Sequence, residues 1–183
     1  NVSEEEMKFA IDHDIMTSLD SLSQLEMYGQ LNPGGKCAVR INPGVGAGHH
    51  DKVITAGKKT KFGIAEEDIP EIFKIIEKYN LTIAGINQHI GSLFMDPEPY
   101  LQAVSNLLRI AMGFKNLEFI DFGGGYGIPY HKLDGETEYD MESFKERLEP
   151  ILDKFVEEYG SVPLFKSEPG RYCVAEGGVI LGR

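Results

Sequence analysis

Three apolar runs in this chain each break into a polar, glycine-bearing turn, and that repeated break restricts the fold more than any other feature. Ala84-Gly85-Ile86-Asn87 leads into Gln88-His89-Ile90-Gly91-Ser92. Leu117-Glu118-Phe119-Ile120 leads into Asp121-Phe122-Gly123-Gly124-Gly125-Tyr126-Gly127. Pro163-Leu164-Phe165-Lys166 leads into Ser167-Glu168-Pro169-Gly170-Arg171. An apolar run that ends in polar and glycine residues reads as a buried strand opening into a loop. With helical stretches between such strands, the loop ends gather on one face of a parallel sheet or barrel, the face on which such folds do chemistry.

The remaining elements follow from periodicity and caps. Ser3-Glu4-Glu5-Glu6 is a helix cap followed by first-turn acids, and the helix is expected to reach Asp12. Residues 15–20 read as a short strand and 21–28 as a helix with Leu22 and Leu25 on one face. Residues 37–42 form a second strand, ended by Pro43, and 44–60 a long glycine-rich loop. Asp68-Ile69-Pro70 opens a helix through Tyr79, with Ile69, Phe73 and Ile76 as its inner stripe. Strands are expected at 81–89, 117–122 and 162–167, with a sixth at 174–181. The helix over 97–112 turns Leu101, Val104 and Leu108 inward, and an acidic helix lies within 138–159. Alternating strands and helices give an α/β class with parallel strands. Loop chemistry after so many successive strands favours a (β/α)8 barrel over an open sheet. A complete barrel takes about 250 residues, so 183 residues with five or six strands make an incomplete one.

Charge and length exclude several classes. A net charge of −11 repels nucleic acid and anionic membrane surfaces. No run of about 18 apolar residues exists to cross a membrane. Cys37 and Cys173 are too far apart in sequence for a metal or redox motif, which suits a reducing, cytoplasmic setting. The acidic opening carries no secretory or organelle signal. The missing initiator Met, and an end inside the apolar run 179–183, read as a piece of a longer protein.

The loops hold the chemistry. Gly123, Gly124 and Gly125 let backbone approach a ligand and aim N–H groups at an anion; the bland alternative is a tight strand-to-helix turn. A Gly-x-Gly-x-x-Gly motif would need glycine where Ile128 stands, and no P-loop lysine follows, so a small phosphate group fits better than a nucleotide. His89 can stack on a heteroaromatic ring and Ser92 can donate to a phosphate, or both can serve the fold alone. Glu168 can keep a pyridine nitrogen protonated, and Arg171 can bind a phosphate or carboxylate; otherwise the two cap the turn as a salt bridge. Lys166, two residues before Glu168, can form a Schiff base or pair with a carboxylate lower in the barrel. His49 and His50 are adjacent, so on extended backbone they diverge and make a poor metal site. His13 and His131 read as surface residues.

Taken together, these stretches resemble the fold type III pyridoxal-phosphate decarboxylases, the alanine-racemase-like barrels. They are Arg40-Ile41-Asn42-Pro43, Gly46-Ala47-Gly48-His49-His50, Lys61-Phe62-Gly63-Ile64, His89-Ile90-Gly91-Ser92, Asp121 to Gly125, and Glu168-Pro169-Gly170-Arg171. The first three tilt the resemblance toward the diaminopimelate branch rather than the ornithine or arginine branch. The resemblance implies pyridoxal 5'-phosphate as cofactor and decarboxylation of meso-2,6-diaminopimelate to L-lysine and CO2. The alternatives are another decarboxylase of this fold (ornithine, arginine or carboxynorspermidine) or a non-catalytic barrel that binds pyridoxal phosphate or phosphate. It further implies His89 on the cofactor face, Ser92 and Gly123 to Gly125 at the phosphate, and Glu168 at the ring nitrogen, in a turn shaped by Pro169 and Gly170. Arg171 would lie near the phosphate and the substrate carboxylate. The Schiff-base lysine is expected upstream and the general-acid cysteine downstream of these residues, so no catalytic residue is assigned within the chain. A homodimer and a C-terminal β domain, entered through 174–183 after a barrel portion at 1–173, are also implied.

Overall fold

The computed structural model describes residues 2–45 and 61–179. Helix α1 (Glu4–Asp12) begins with a capping box: the Ser3 hydroxyl accepts from the Glu6 N–H, and the Glu6 carboxylate accepts from the Ser3 N–H. Then follow β1 (Ser18–Leu19), α2 (Leu22–Leu31), β2 (Lys36–Arg40), α3 (Ile69–Tyr79) and β3 (Thr82–Asn87). After them come α4 (Glu98–Ala111), β4 (Phe119–Asp121), α5 (Met141–Tyr159), β5 (Leu164–Lys166) and α6 (Gly170–Val174).

The five strands are all parallel and lie in the order β1-β2-β3-β4-β5. Sequence order equals spatial order, and each step carries one helix. Right-handed crossovers then put the helices on one face and wind the sheet in a single direction. A doubly wound sheet would reverse its order partway; this one does not, which is the topology of a barrel wall.

The register explains which side chains go where. Leu19, Val39, Ile86, Ile120 and Phe165 form one row across the sheet. The first four are fully buried under the helices and Phe165 is half-buried. The next row belongs to the opposite face and is polar: Arg40, Asn87, Asp121 and Lys166 are register partners. Period-two alternation thus separates an oily outer layer from a charged inner one. Gly85, on the inner face, leaves room for the Phe119 ring, which any side chain there would strike.

Helix packing completes the core. α4 buries Leu101, Val104 and Leu108 as expected, together with Tyr100, Ala103 and Leu107. In α3 the buried residue is Ile72, flanked by half-buried Ile69, Ile76 and Tyr79, while Phe73 is exposed. The true stripe is therefore 69-72-76-79; Phe73 sits a helical step outside it and packs on Phe114 with ring centroids 5.1 Å apart. A Cβ on Gly29 of α2 would overlap the Tyr79 ring, so this glycine sets how closely α2 and α3 pack. The expected sixth strand is not formed in the described part of 174–181. α6 runs through Val174 and a 3-10 turn covers Ala175–Gly177. No described strand offers this segment a ladder, Val174 and Val179 are exposed, and Gly177-Gly178 favours a turn.

Candidate active site

The C-terminal ends of β3, β4 and β5 interlock through glycine. At Gly123 (φ 72°) a Cβ would meet the carbonyl of Gln88 and the Cα of His89. At Gly124 it would strike the Glu168 carbonyl, and at Gly125 (φ 105°) the Gly91 carbonyl and the Phe94 ring. Each glycine therefore admits backbone from a neighbouring loop. The turn after β4 is the keystone between the His89 loop and the Glu168 loop.

Hydrogen bonds fix the same arrangement. The Glu168 N–H donates to the Gly123 carbonyl (3.0 Å). The Gly123 N–H donates to the Asp121 carboxylate (2.8 Å), and the Gly124 N–H donates to His89 Nδ1 (3.3 Å). Because Nδ1 accepts, the neutral His89 ring carries its proton on Nε2. Phe94 N–H to Gly125 carbonyl (3.1 Å) and Gly127 N–H to Phe94 carbonyl (2.9 Å) zip the loop that contains Ser92 onto the glycine turn.

The polar inner row lies one register step below. Arg40 pairs with Asp20 (3.2 Å), and the Ser18 hydroxyl donates to Asn87 Oδ1 (2.6 Å). Burial holds the His89 imidazole below its ordinary pKa, the Arg40 charge adds to the lowering, and Asp121 opposes it. Lost hydration pushes the Glu168 carboxyl above its ordinary range, Asp121 adds to the rise, and Arg40 opposes it. A resting neutral imidazole and a more basic carboxylate thus face the same rim. Burial also pushes the Cys37 thiol up to about 12, which makes it inert. Cys37 and Cys173 are both free.

His89, the glycine turn and Glu168 thus come together, with Ser92 in the adjoining loop. Two of the three glycine amides already serve Asp121 and His89, which leaves Gly125 N–H and the half-buried Ser92 hydroxyl as donors unused by any described residue. Arg171 makes no ion pair with Glu168: it donates to the Tyr130 hydroxyl (2.6 Å) across the turn shaped by Pro169 and Gly170. Lys166 pairs with no carboxylate among the described residues; its ammonium lies 3.8 Å from the Phe119 ring centroid. His13 and His131 are exposed. His49 and His50 lie outside the described residues.

Sequence reasoning assigned no role to Arg40 and Asp121, whose charges come second to burial in shifting the protonation of His89 and Glu168. A signal existed: each of the runs over β2, β3, β4 and β5 ends on a polar residue just before its loop. It could be read only after the strands were placed in register. The segment 61–64, whose role the sequence left open, folds back on β2. Ile64 N–H donates to the Arg40 carbonyl (2.8 Å), and the Phe62 ring centroid lies 5.2 Å from the Arg40 guanidinium.

The family described as "Pyridoxal-dependent decarboxylase, pyridoxal binding domain" matches residues 1–175. Diaminopimelate decarboxylase of Methanothermobacter thermautotrophicus is 38% identical over 100% of this chain, which spans 44% of that relative. The Escherichia coli K12 enzyme of the same name is 32% identical over 91% of this chain and 39% of its own length. Among solved structures, a diaminopimelate decarboxylase superposes with a TM-score of 0.83 at 29% identity, over 93% of this chain and 40% of that one. The Helicobacter pylori diaminopimelate decarboxylase complexed with L-lysine gives 0.80 at 28% identity, over 95% and 44%. The chain spans less than half the length of each of these relatives. With the family match running almost from end to end and the sheet wound as a barrel wall, this chain belongs to the pyridoxal-dependent decarboxylases and carries their pyridoxal-binding domain.

Proposed function

We propose that this chain is the cofactor-binding barrel portion of an enzyme that decarboxylates meso-2,6-diaminopimelate to L-lysine and CO2. The observation that carries the reading is the interlock of His89, Gly123 to Gly125 and Glu168 on one rim. The residues suit pyridoxal phosphate. Among the described residues Ser92 and the Gly125 N–H are donors without partners and Glu168 is a carboxylate of raised basicity without an ion pair, while His89 is a neutral ring that accepts from a backbone donor. When bound, the cofactor supplies an electron sink for the pair of electrons left as the carboxylate departs.

This chain's residues do the rest of what falls to it. Ser92 and the Gly125 N–H, with Arg171, would hold the phosphate, and Gly123 and Gly124 shape the turn that would present it. Arg171 would also orient the substrate carboxylate, and its bond to Tyr130 places the guanidinium. Glu168, its pKa raised by burial, would hold a proton at the ring nitrogen. His89 would lie against the ring and, being neutral, would add no charge to oppose the ring's own. The Schiff-base lysine and the acid that returns a proton to carbon come from flanking sequence.

The identity of 38% across the whole chain to a diaminopimelate decarboxylase supports this substrate over ornithine or arginine. Two free cysteines, one buried, fit a reducing cytoplasm, and a place in lysine biosynthesis follows from the product. A homodimer, and a β domain reached through 174–183, complete the proposal. The test is turnover by the full-length protein with pyridoxal phosphate, given meso-diaminopimelate, ornithine, arginine and carboxynorspermidine in turn. CO2 release from diaminopimelate alone is expected. Preference for another substrate would replace the assignment within the fold, and no release from any would favour a binding barrel. The 183-residue chain alone is expected to release none.

A further inference from the structure

We infer that Tyr100, Tyr126 and Ser167 are positioning residues that set the tautomer and orientation of His89 through a single peptide unit. Behind the rim, α4, the two loops and the start of α5 form an aromatic cluster of Phe94, Tyr100, Tyr126, Tyr139 and Phe144. Packing alone does not require hydroxyls there. Phe94 and Phe144 have none, and the buried Tyr139 hydroxyl has no partner among the described residues. The other two phenols are connected. Tyr126 donates to the Tyr100 hydroxyl (2.8 Å), and Tyr100, only 1% exposed, donates to the Gly123 carbonyl (3.4 Å). Ser167 donates to the same carbonyl (3.3 Å), so at its 3.0 Å contact with Tyr126 it accepts a share of the one Tyr126 proton. With the Glu168 N–H, three donors converge on one oxygen, so the two hydroxyl bonds are long.

The consequence lies in peptide geometry. The Gly123 carbonyl and the Gly124 N–H belong to one planar unit and point in opposite directions. Gly123 at φ 72° and an adjacent glycine leave that plane free to rotate. Donors behind it pin the carbonyl, and the N–H is thereby aimed forward at His89 Nδ1. Without the two hydroxyls only the Glu168 N–H holds the carbonyl; the plane can turn, Nδ1 loses its donor, and that donor's part in keeping the proton on Nε2 goes with it.

The functional consequence rests on the cofactor reading proposed above; the structural one does not. The experiment uses the full-length protein as wild type, Y100F, S167A and S167T. Long-range proton–nitrogen spectra of His89 are recorded above its pKa without cofactor, and pyridoxal phosphate affinity is measured by fluorescence. The wild type is expected to show a single Nε2–H tautomer. Y100F and S167A should give mixed tautomers and weaken cofactor binding about fivefold each, the scale of one net hydrogen bond. S167T, which keeps the hydroxyl, should restore both. An unchanged His89 spectrum in Y100F and S167A overturns the inference, as does mixed tautomery with unaltered cofactor affinity. A wild type that shows the tautomer but takes up no pyridoxal phosphate refutes the cofactor reading while the His89 result still stands.

Discussion

A methyl group at Gly124 would land on the Glu168 carbonyl, although the backbone there adopts no left-handed conformation. Its cost is steric, and it falls on the contact between two loops. Gly124→Ala is expected to lower unfolding free energy by about 1–3 kcal/mol, the range for overpacking a tight site. Urea unfolding measures this, and an unchanged midpoint would refute the interlock. The two titrating residues of the rim give opposite pH dependences. Glu168 has a raised folded pKa, so its contribution is present below the ordinary 4.5 and is lost as pH rises through the folded value. His89 has a depressed folded pKa, so its contribution is present above the ordinary 6.5 and is lost as pH falls through the folded value. Glu168→Gln should flatten the decline above pH 4.5, and His89→Gln the decline below 6.5, in plots of urea midpoint against pH. If either variant keeps the wild-type slope in its window, the environment assigned to that residue is wrong.

Strand β3 carries the most weight among the elements. It pairs with β2 on one side and β4 on the other, and Ile86 near its C-terminal end is fully buried in the row under the helices. Ile86→Ala should cost about 2–5 kcal/mol, measured by denaturant unfolding. A loss under 1 kcal/mol would mean the row collapses around the gap. The exposed Arg109–Glu66 pair is a weaker link between α4 and the turn before α3. Its guanidinium is bidentate, but solvent limits such pairs to about 0–1 kcal/mol. Strand existence and order were readable from the sequence because each apolar run is bounded by turn chemistry. The stripe of α3 was misread because Ile72 and Phe73 are neighbours of similar hydrophobicity, and only packing against α2 decides which faces inward.

At the scale of the molecule, five strands form a wall with an outer edge at β5 that no described strand covers. Leu164 is 62% exposed and Val162 74%, beside unpaired backbone. The 183-residue chain by itself is expected to self-associate as concentration rises, and Val162→Lys with Leu164→Lys should suppress this despite lowering the net charge of −11. Sedimentation velocity tests it; a monomer at every concentration would mean that the edge is protected.

Consecutive residues alone fix the parallel α/β wall and the three rim loops, and they supply the side-chain chemistry from which a ring-and-phosphate site is proposed. Those are local properties: strand ends, glycine runs and side-chain chemistry are written in consecutive residues. Tertiary structure decided the rest. It assigned Gly124 N–H to His89, Arg171 to Tyr130 instead of Glu168, and Lys166 to the Phe119 ring. It placed Arg40 and Asp121 under the two titrating residues, and turned 174–177, the start of an expected strand, into helical turns. Each of these depends on which strand lies beside which and in what register. Residues dozens of positions apart settle that together, so no local pattern records it.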